Sequence, residues 1–485
     1  MSTPEGWEAV VGIEVHVELT TRSKMFCGCA ADFGAEPNTN VCPVCLGLPG
    51  ALPVPNRRAI EWITKIGMAL NCSVSPVSVF HRKNYFYADL PKNYQISQFD
   101  VPVCYDGWLD VDLDGGTFRV GIERAHQEED TGKSIHLGHG GRIHGAGETL
   151  LDFNRSGVPL VEIVSRPDLR SAEQARAYAQ ELRSVVLDLG VSDARLEEGS
   201  IRFDANVSVR RAGDGALGTK VEIKNMNSFR SLERAIEHEI HRQVGVLEMG
   251  GHLVQETRHW DEAAGVTHGM RTKEVSSDYR YFTEPDLVPM VVDDRWREEV
   301  RAGIPELPAA RRARYRDWGL DGHTAGVLAA ADPAIRLTVD ESVAAGASAR
   351  AAANWATGEV TAWLRREQLD PAGSPLDGAA LAELVAMVED GTVSSSAAKE
   401  VLDGVMRGEG SPRQVAAARD LGLVSDTGAL ASVLDEVLAA NPDATDRFRA
   451  GEHKVLGFLV GQVMRATAGK ADPRVVNELL AERLV

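Results

Sequence analysis

Two segments of the chain alternate between apolar and polar residues, which is the pattern of a β-strand with one buried face. In residues 10–19 every second residue is apolar, and Glu14, His16 and Glu18 occupy the opposite face. Residues 201–209 repeat the pattern, with a polar face formed by Arg202, Asp204, Asn206 and Ser208. Both segments are therefore predicted to be strands that bury one face and present charged groups on the other.

Helical patterns lie between the predicted strands. Residues 171–174, Ser-Ala-Glu-Gln, form a capping box, and the apolar spacing behind it predicts a helix that stops at Gly190. Residues 219–224 predict a strand that leads into another helix, which Asn227 or Ser228 is placed to cap. The free N–H groups of that second helix would also suit a phosphate, although capping alone explains the same residues.

The character of the chain changes after about Pro305, where strand patterns give way to Ala-rich segments with apolar residues three and four positions apart. A second break, Gly-Glu-Gly-Ser-Pro at 408–412, precedes the last helical stretch. We therefore predict an α+β fold, in which an N-terminal domain with a mixed or antiparallel sheet is followed by all-helical domains. The predicted domains are residues 1–294, a helical domain over 295–410 and a helical tail domain over 411–485.

Length and composition narrow the class of protein. At 485 residues the chain is too long for a single core. It has no run of about 18 apolar residues, and its start lacks the basic and apolar regions of a signal peptide, so we expect a cytoplasmic protein without a membrane segment. The net charge of −19 argues against general electrostatic binding of nucleic acid. Residues 411–485 carry 9 Lys+Arg against 10 Asp+Glu, so the tail would repel a nucleic acid least.

Four of the six cysteines form two close pairs, Cys27-Gly-Cys29 and Cys42-Pro-Val-Cys45. Two such pairs favour tetrahedral thiolate ligation of zinc, with two ligands from each tight turn, over four unrelated cytosolic thiols. Because four thiolates leave no open coordination position, the predicted zinc is structural and belongs to an insertion at residues 27–45. The two remaining cysteines, which are expected to be buried thiols, are Cys72 and Cys104.

A second group of candidate ligands is rich in carboxylates. Glu14 and His16 point the same way from the first predicted strand, and His126-Gln-Glu-Glu-Asp130 follows a strand at 118–122. Glu162 interrupts an otherwise apolar strand, where an ionised carboxylate is costly unless it is paired or bound to a metal. Oxygen ligands with one imidazole suit Mg²⁺ or Mn²⁺, so the group predicts a metal site, although a salt bridge explains each residue taken singly.

Two further patterns resemble known motifs without meeting their requirements. Thr131-Gly-Lys-Ser134 imitates the end of a phosphate-binding P-loop, but Gln127 stands where the earlier glycine is needed. His136, His139 and His144 lie in a Gly-rich stretch that predicts an exposed hairpin tip rather than a metal site.

Taken in order, these segments are similar to one known family, the B subunits of the bacterial tRNA-dependent amidotransferases for Asp-tRNA(Asn) and Glu-tRNA(Gln). The similarity covers most of residues 7–290, whereas the helical half matches more loosely, mainly around Ala352–Trp355. The matching segments are Val11–Leu19, Lys24–Phe26, Phe33–Asn38, His81–Tyr87, Tyr94–Ser97, His126–Asp130, Leu151–Gly157, Glu197–Ser200, Asp204–Asn206, Lys224–Ser228 and Asp278–Tyr281.

The resemblance implies an activity that composition does not reveal. Such enzymes use ATP to phosphorylate the side-chain carboxylate of glutamate or aspartate on a mischarged tRNA, and ammonia then displaces the phosphate. A separate amidase, the A subunit, releases the ammonia from glutamine, and a small C subunit ties the two together. The resemblance thus predicts one subunit of a glutamine-hydrolysing carbon–nitrogen ligase, with ATP, Mg²⁺ and a structural Zn²⁺ as cofactors and mischarged tRNA(Gln) or tRNA(Asn) as its RNA partner.

Carried over position by position, the family's metal site falls on His16, Glu128 and Glu162, with Glu14 beside it as a fourth catalytic residue. The strand patterns indicate the same group. The family's tail module, which grips the tRNA elbow, would begin near Ser411. The residues expected to contact ATP or the aminoacyl end are Lys83, Asn84, Arg202, Asp204, Asn206, Lys224 and Asn227.

Two other functions are compatible with the same sequence. A non-catalytic, zinc-containing RNA-binding or assembly factor would use the cysteine segment and the tail, and its carboxylate group would be dispensable. A metal-dependent hydrolase would direct His16 and the carboxylates at water, and would need neither ATP nor tRNA. Since the sequence has no Gly-x-Ser-x-Gly or other nucleophile motif, we expect no glutaminase activity from this chain alone.

Overall fold

The structure is a computed structural model, and the chain divides into two compact units, residues 1–310 and 311–485. All described strands lie in the first unit. His139 and His144 of the Gly-rich stretch fall outside the described residues. The residues that the structure describes are 3–113, 115–137, 147–272, 276–423, 427–449, 452–467, 471 and 473–484.

The strands, in chain order, are β1 (Trp7–Glu18), β2 (Ser73–Val74), β3 (Val77–Ser78), β4 (His81–Asn84), β5 (Tyr94–Ser97), β6 (Cys104–Leu113), β7 (Gly116–Glu129), β8 (Lys133–Leu137), β9 (Glu148–Asp152), β10 (Pro159–Ser165), β11 (Ile201–Arg211), β12 (Val221–Lys224), β13 (Glu256–Asp261), β14 (Val266–Thr272), β15 (Phe282–Thr283) and β16 (Met290–Val291).

The α-helices are α1 (Arg57–Ala69), α2 (Ala172–Asp188), α3 (Phe229–Glu248), α4 (Asp294–Ala302), α5 (Pro308–Asp317), α6 (Gly322–Ala329), α7 (Pro333–Ala344), α8 (Ala349–Trp355), α9 (Thr361–Arg366), α10 (Gly378–Glu389), α11 (Ser395–Met406), α12 (Pro412–Ala418), α13 (Thr427–Ala440), α14 (Pro442–Arg449), α15 (Leu456–Ala466) and α16 (Pro473–Leu484). Short 3₁₀ turns lie at Ser276–Tyr279, Pro371–Gly373 and His453–Val455, and a π-helical turn at Ala356–Val360 joins α8 to α9.

A large mixed sheet organises the first unit. Among the described residues it has nine strands in the order β14-β13-β12-β11-β1-β10-β7-β6-β2. All neighbours are antiparallel except β12 and β13, which run parallel. Strands β1, β10 and β11 pair although they are far apart in sequence, so the centre of the sheet is built from long-range contacts.

The two faces of the central strands differ in chemistry. One face is apolar and packs with helices α1, α2 and α3 into the main hydrophobic core, where Val15, Ile163 and Leu182 are fully buried. The other face carries the charged residues of β1, β7, β10, β11 and β12. The helices therefore hold the sheet from one side and leave the opposite side to polar groups.

Smaller sheets accompany the central one. Strands β15, β4 and β5 form a three-stranded antiparallel sheet, called here the small sheet, and β5 also packs against β7. Strands β8 and β9 form a hairpin, and β16 pairs with β3. Because β5 contacts β7, the small sheet lies beside the strand that carries His126–Glu129.

The second unit is helical, and its described residues form two hydrophobic clusters. One cluster runs from Tyr315 to Ala416 and the other from Leu430 to Leu480. No helix in the described part of the chain is long and apolar enough to cross a membrane. The sheet of the first unit and the helices of the second confirm the predicted α+β class.

The predicted starts of two helices agree with the structure, because each start depends on a hydrogen bond between residues three apart in the sequence. Ser171 accepts the backbone N–H of Gln174 at 3.1 Å and starts α2, which ends just before Gly190. Ser228, rather than Asn227, caps α3 through the N–H of Ser231 at 3.0 Å.

Two local predictions were wrong. Strand β7 does not end near residue 122 but continues to Glu129, because the antiparallel ladder with β10 pairs its last residues. Cys104 is buried as expected, whereas Cys72 is only partly buried. The segment His126–Glu129 therefore lies inside a strand, and its side chains alternate between the two faces.

The apolar face should dominate the stability of the first unit. Leu182→Ala on α2 removes a fully buried side chain and is expected to cost about 2–5 kcal/mol of unfolding free energy. Native-state hydrogen exchange of β1 and β11 amides in the intact chain measures this loss. The matched change Leu187→Ala, at a 38% exposed position of the same helix, should stay within about 0.5 kcal/mol. Equal losses for the two variants would contradict this account.

Candidate active site

The polar face of the central sheet carries one row of ionisable residues across four adjacent strands. In the register of the sheet, His126 of β7 lies opposite Glu162 of β10, Glu162 opposite His16 of β1, and His16 opposite Arg202 of β11. Because side chains alternate along a strand, Glu128 of β7 belongs to the same face. Strands from distant parts of the chain thus bring their charged groups into one line.

His16, Glu128 and Glu162 converge, each offering a ligand atom within 4.8 Å of the others. Both carboxylates are buried, and His16 is partly buried. His126 lies between the carboxylates, with Nε2 3.3 Å from Glu128 Oε1 and 3.3 Å from Glu162 Oε2. His16 Nε2 is 3.6 Å from Glu162 Oε2. Two carboxylates and two imidazoles therefore form one connected group, called here the carboxylate cluster.

The small sheet completes the surroundings of Glu128. Ser97 donates its hydroxyl to Glu128 Oε1 at 2.6 Å, and Gln95 donates from Nε2 to Oε2 at 2.9 Å. The ammonium of Lys83, from β4, lies 3.7 Å from Oε1. Each oxygen of this buried carboxylate has a partner, which offsets part of the cost of removing its charge from water.

Electrostatics keep the cluster's carboxylates ionised. Burial opposes the charge of Glu128, but Lys83 and His126 lower its pKa to about 2. Burial also opposes the charge of Glu162, yet the neighbouring histidines hold its pKa well below the usual value. Burial favours a neutral His126, whereas the fields of Glu162 and Glu128 raise its pKa to about 9. The cluster therefore holds two ionised carboxylates below the surface, and their charge is balanced by the imidazolium of His126 and the ammonium of Lys83.

The donor set of the carboxylate cluster suits a hard divalent cation. Carboxylate oxygens with one imidazole are ligands that Mg²⁺ and Mn²⁺ accept, and both ions usually keep several waters. His16, Glu128 and Glu162 would hold such an ion, and their three strands are neighbours in a sheet packed on helices. These residues therefore fit the divalent metal predicted from the sequence. The binding of that metal stays a prediction.

Glu14 belongs to a second group on the same face. Its carboxylate lies with those of Asp204 and Glu222, the ligand atoms being within 4.8 Å of one another. Lys224 Nζ is 2.6 Å from Asp204 Oδ2 and 3.4 Å from Glu222 Oε1, and Asn206 donates to Glu14 Oε1 at 2.8 Å. Three of the predicted contact residues, Asp204, Asn206 and Lys224, thus meet beside the carboxylate cluster.

The remaining predicted contact residues have other surroundings. Arg202 donates to Asp130 Oδ2 at 2.8 Å and so stays on the polar face. Asn84 donates its amide to the carbonyls of Tyr279 and Arg280, at 3.1 and 2.9 Å, and thereby fastens that segment to β4. Asn227 is exposed in the turn between β12 and α3.

His126 is the cluster residue that the sequence reasoning missed. It stands two residues before Glu128, which is the spacing of one strand face, so the signal was present. The predicted strand ended near residue 122, which placed His126 in a loop. The side chains of loop residues do not alternate between two faces, so the spacing of His126 and Glu128 could not be interpreted. Its Nε2 atom contacts both carboxylates, whereas its buried Nδ1 atom has no hydrogen-bond partner among the described residues.

The cysteine pairs form a separate centre. The sulfurs of Cys27, Cys29, Cys42 and Cys45 all lie within 4.8 Å of one another, and those of Cys42 and Cys45 are 3.9 Å apart. The second pair sits in a tight turn, in which the Cys42 carbonyl accepts the N–H of Leu46 at 3.1 Å. Four convergent sulfurs suit tetrahedral zinc, so a metal site of the predicted kind fits these residues.

Lys24 adds a buried charge to the cysteine centre. Its side chain is fully buried, with Nζ 3.7 Å from Cys45 Sγ and 3.2 Å from the carbonyl of Phe153. The Cys27 thiol, the Cys42 N–H and the Lys24 ammonium favour the thiolate of Cys45 over the desolvation that opposes it, and lower its pKa to about 4. An ammonium beside a thiolate also offsets the negative charge that four cysteine ligands would bring.

The sequence matches two protein family models and many known proteins. Residues 9–298 match the family described as the GatB/GatE catalytic domain, and residues 338–484 match the one described as the GatB domain. The chain is similar to proteins named as the B subunit of aspartyl/glutamyl-tRNA(Asn/Gln) amidotransferase. The one from Moorella thermoacetica is 52% identical over 480 residues, 99% of this chain and 100% of the relative. Those from Geobacter sulfurreducens and Nocardioides sp. are 50% and 49% identical, covering 99% of this chain and 99% and 97% of the relatives.

The fold and the site define a catalytic domain of the GatB/GatE class, joined to a helical GatB domain. Since the similarity extends over nearly the whole chain, the protein belongs to the family of the aspartyl/glutamyl-tRNA(Asn/Gln) amidotransferase B subunits. This confirms the family predicted from the sequence and the prediction of an enzyme subunit. The relatives' shared name is that of one component of a multi-subunit amidotransferase.

The cysteine centre can be tested by metal analysis. We expect the purified chain to contain about one zinc per molecule and Cys42→Ser to lose it, because three thiolates and a hydroxyl bind zinc less tightly. Elemental analysis after extensive dialysis measures the content. Cys72→Ser, outside the centre, should retain the metal. Equal zinc content in the wild type and Cys42→Ser would show that the cysteines do not bind it.

Proposed function

We propose that this chain uses ATP and a divalent cation to activate the side-chain carboxylate of glutamate or aspartate carried on mischarged tRNA(Gln) or tRNA(Asn). The observation that carries the proposal is the carboxylate cluster. Its two ionised carboxylates lie buried on one face of a helix-backed sheet, with Lys83 at its edge. Convergent carboxylate oxygens suit a divalent cation of the kind that accompanies nucleotide phosphates.

The proposed chemistry has two steps. The substrate carboxylate attacks the γ-phosphorus of ATP, and ADP leaves. Ammonia then attacks the acyl carbon, loses a proton and displaces phosphate, which yields the amide. Phosphoryl transfer depends mainly on positioning and charge neutralisation, and a bound Mg²⁺ would supply the neutralisation of the phosphate oxygens.

The chain's own residues would position the reactants. His16, Glu128 and Glu162 would hold the cation, and His126 contacts both carboxylates and so limits their separation. Lys83 places an ammonium beside Glu128, where it can face a phosphate oxygen. The second group, with Lys224 between Asp204 and Glu222, extends the polar face and suits contacts with the rest of the nucleotide or the aminoacyl end.

Partners supply what this chain lacks. Ammonia would come from an amidase A subunit, with a small C subunit joining the two, as the family resemblance implies. The tail, residues 411–485, would contact the tRNA, in agreement with its nearly balanced charge. The assembly would work in the cytoplasm, on the substrates that its relatives' name describes.

The buried charges weigh against the non-catalytic alternative. An assembly factor has no use for two ionised carboxylates held below the surface, because buried charge is costly and mutually compensated pairs can usually be replaced by apolar groups. The alternative therefore predicts that the carboxylate cluster is dispensable, whereas the proposed function requires it.

The decisive experiment is amide formation on tRNA(Gln) charged with glutamate, using the complete complex with ATP, Mg²⁺ and ammonium. Glu128→Ala should lower the rate by about 100-fold or more, since losing even an outer partner of a metal ligand costs roughly 10–100-fold. Ammonium bypasses the amidase, so the loss would belong to this chain.

Glu123→Ala is the matched control, because Glu123 lies on the same strand with an exposed side chain paired to Arg124. It should leave the rate unchanged. Full activity of Glu128→Ala would refute the proposed site, and product formed without ATP would favour the hydrolase alternative.

A further inference from the structure

Five aromatic side chains form a continuous row of ring contacts beside Lys83, called here the aromatic row. Successive ring centroids are 5.8, 6.1, 6.0 and 4.5 Å apart, and the last two rings are stacked within 15° of parallel. In order of contact the rings are Tyr87, Tyr85, Tyr279, Tyr281 and Phe99. The rings lie next to the strands of the small sheet: two follow β4, one follows β5 and two precede β15.

The aromatic row is not part of the hydrophobic core. Among the described residues, none of the five rings belongs to the main core cluster or packs against it, whereas Tyr94 of the same sheet does. The two end rings are open to solvent, Tyr87 being 45% and Phe99 48% exposed. Packing into the main core therefore does not account for collecting these rings at one place.

The aromatic row leads directly to the carboxylate cluster. Tyr85 donates its hydroxyl to Gln95 Oε1 at 3.1 Å, and Gln95 in turn donates to Glu128. Lys83 Nζ lies 5.2 Å from the ring centroid of Tyr279 and 3.7 Å from Glu128 Oε1. A ligand on the rings would thus have its charged end beside the ammonium and the carboxylates.

We propose that the aromatic row is a stacking surface for an adenine base, with the Phe99–Tyr281 pair as its main element. Aromatic faces bind bases by stacking, and a nearly parallel pair with one exposed ring offers a flat face of the right kind. The inference rests on the proposed function, which brings two adenines to this site. One belongs to ATP, and the other is the 3′-terminal adenosine of the tRNA.

The test uses the complete complex with ammonium as the nitrogen source. Tyr281→Leu removes the ring, and Tyr281→Phe keeps the ring without the hydroxyl. Phe99→Leu, at an exposed position, provides a second ring deletion that places little demand on folding. Tyr105→Leu is the control, because Tyr105 is a 39% exposed tyrosine of β6, outside the aromatic row.

We expect either ring deletion to raise one KM roughly tenfold while kcat changes less than about twofold, since one base stack contributes about that much to binding. A rise in the KM for ATP assigns the base to ATP, and a rise in the KM for charged tRNA assigns it to the terminal adenosine. Tyr281→Phe and Tyr105→Leu should match the wild type in both constants.

A direct probe replaces the adenine by 2-aminopurine, either in the triphosphate or at the 3′ end of the tRNA, because stacking quenches its fluorescence. The wild-type complex should quench one of the two probes, and Tyr281→Leu should restore the signal. Unchanged KM values in both ring deletions, no quenching by the wild type, or equal damage from Tyr281→Phe and Tyr281→Leu would overturn the inference. Dissociation of the partner subunits in Phe99→Leu would also overturn it, by showing that the rings hold a protein.

The inference and the proposed function fail in different ways. If Glu128→Ala abolishes amide formation while both ring deletions behave as wild type, only the adenine site is wrong. If Glu128→Ala remains active, the proposed function itself is wrong.

Discussion

Ionised carboxylates below the protein surface set the main constraint on this fold. A buried carboxylate is stable only when hydrogen bonds and opposite charges replace the water it has lost. For Glu128 those groups come from the same strand, through His126, and from the small sheet, through Lys83, Gln95 and Ser97. The docking of the small sheet on β7 is therefore part of the electrostatics of the site as well as of its packing.

Rigidity on the opposite face makes this arrangement possible. The apolar positions of the central strands pack with α1, α2 and α3, which fixes the relative positions of β1, β7, β10 and β11. Since antiparallel register decides which side chains lie opposite each other, a fixed ladder also fixes the line from His126 through Glu162 to His16. Core and site are thus the two faces of one sheet, and neither can shift without the other.

Sequence patterns predicted what short-range chemistry determines. The alternation of apolar and polar residues predicted β1 and β11, and Ser171 predicted the start of α2. The spacing of the cysteines predicted that four sulfurs would lie close together. The register between the strands could not be predicted, because β1 pairs with β10 and β11 through long-range contacts that no local sequence pattern encodes. The grouping of His16, Glu128 and Glu162 came from family resemblance as much as from physics. His126 and the role of the small sheet appeared only once the strands were paired.

The cysteine centre is connected to the carboxylate cluster through residues 151–157, which lead from β9 into β10. Asn38, between the cysteine pairs, donates its amide to the carbonyl of Leu151 at 2.9 Å and accepts the N–H of Phe153 at 2.8 Å. Lys24 binds the Phe153 carbonyl, and the N–H of Met25 donates to the carbonyl of Gly157 at 2.7 Å. These bonds hold the connection from β9 into β10, the strand that carries Glu162. A metal that fixes the four sulfurs would therefore stabilise the start of the strand that carries Glu162 without contacting the carboxylate cluster, as a structural metal does.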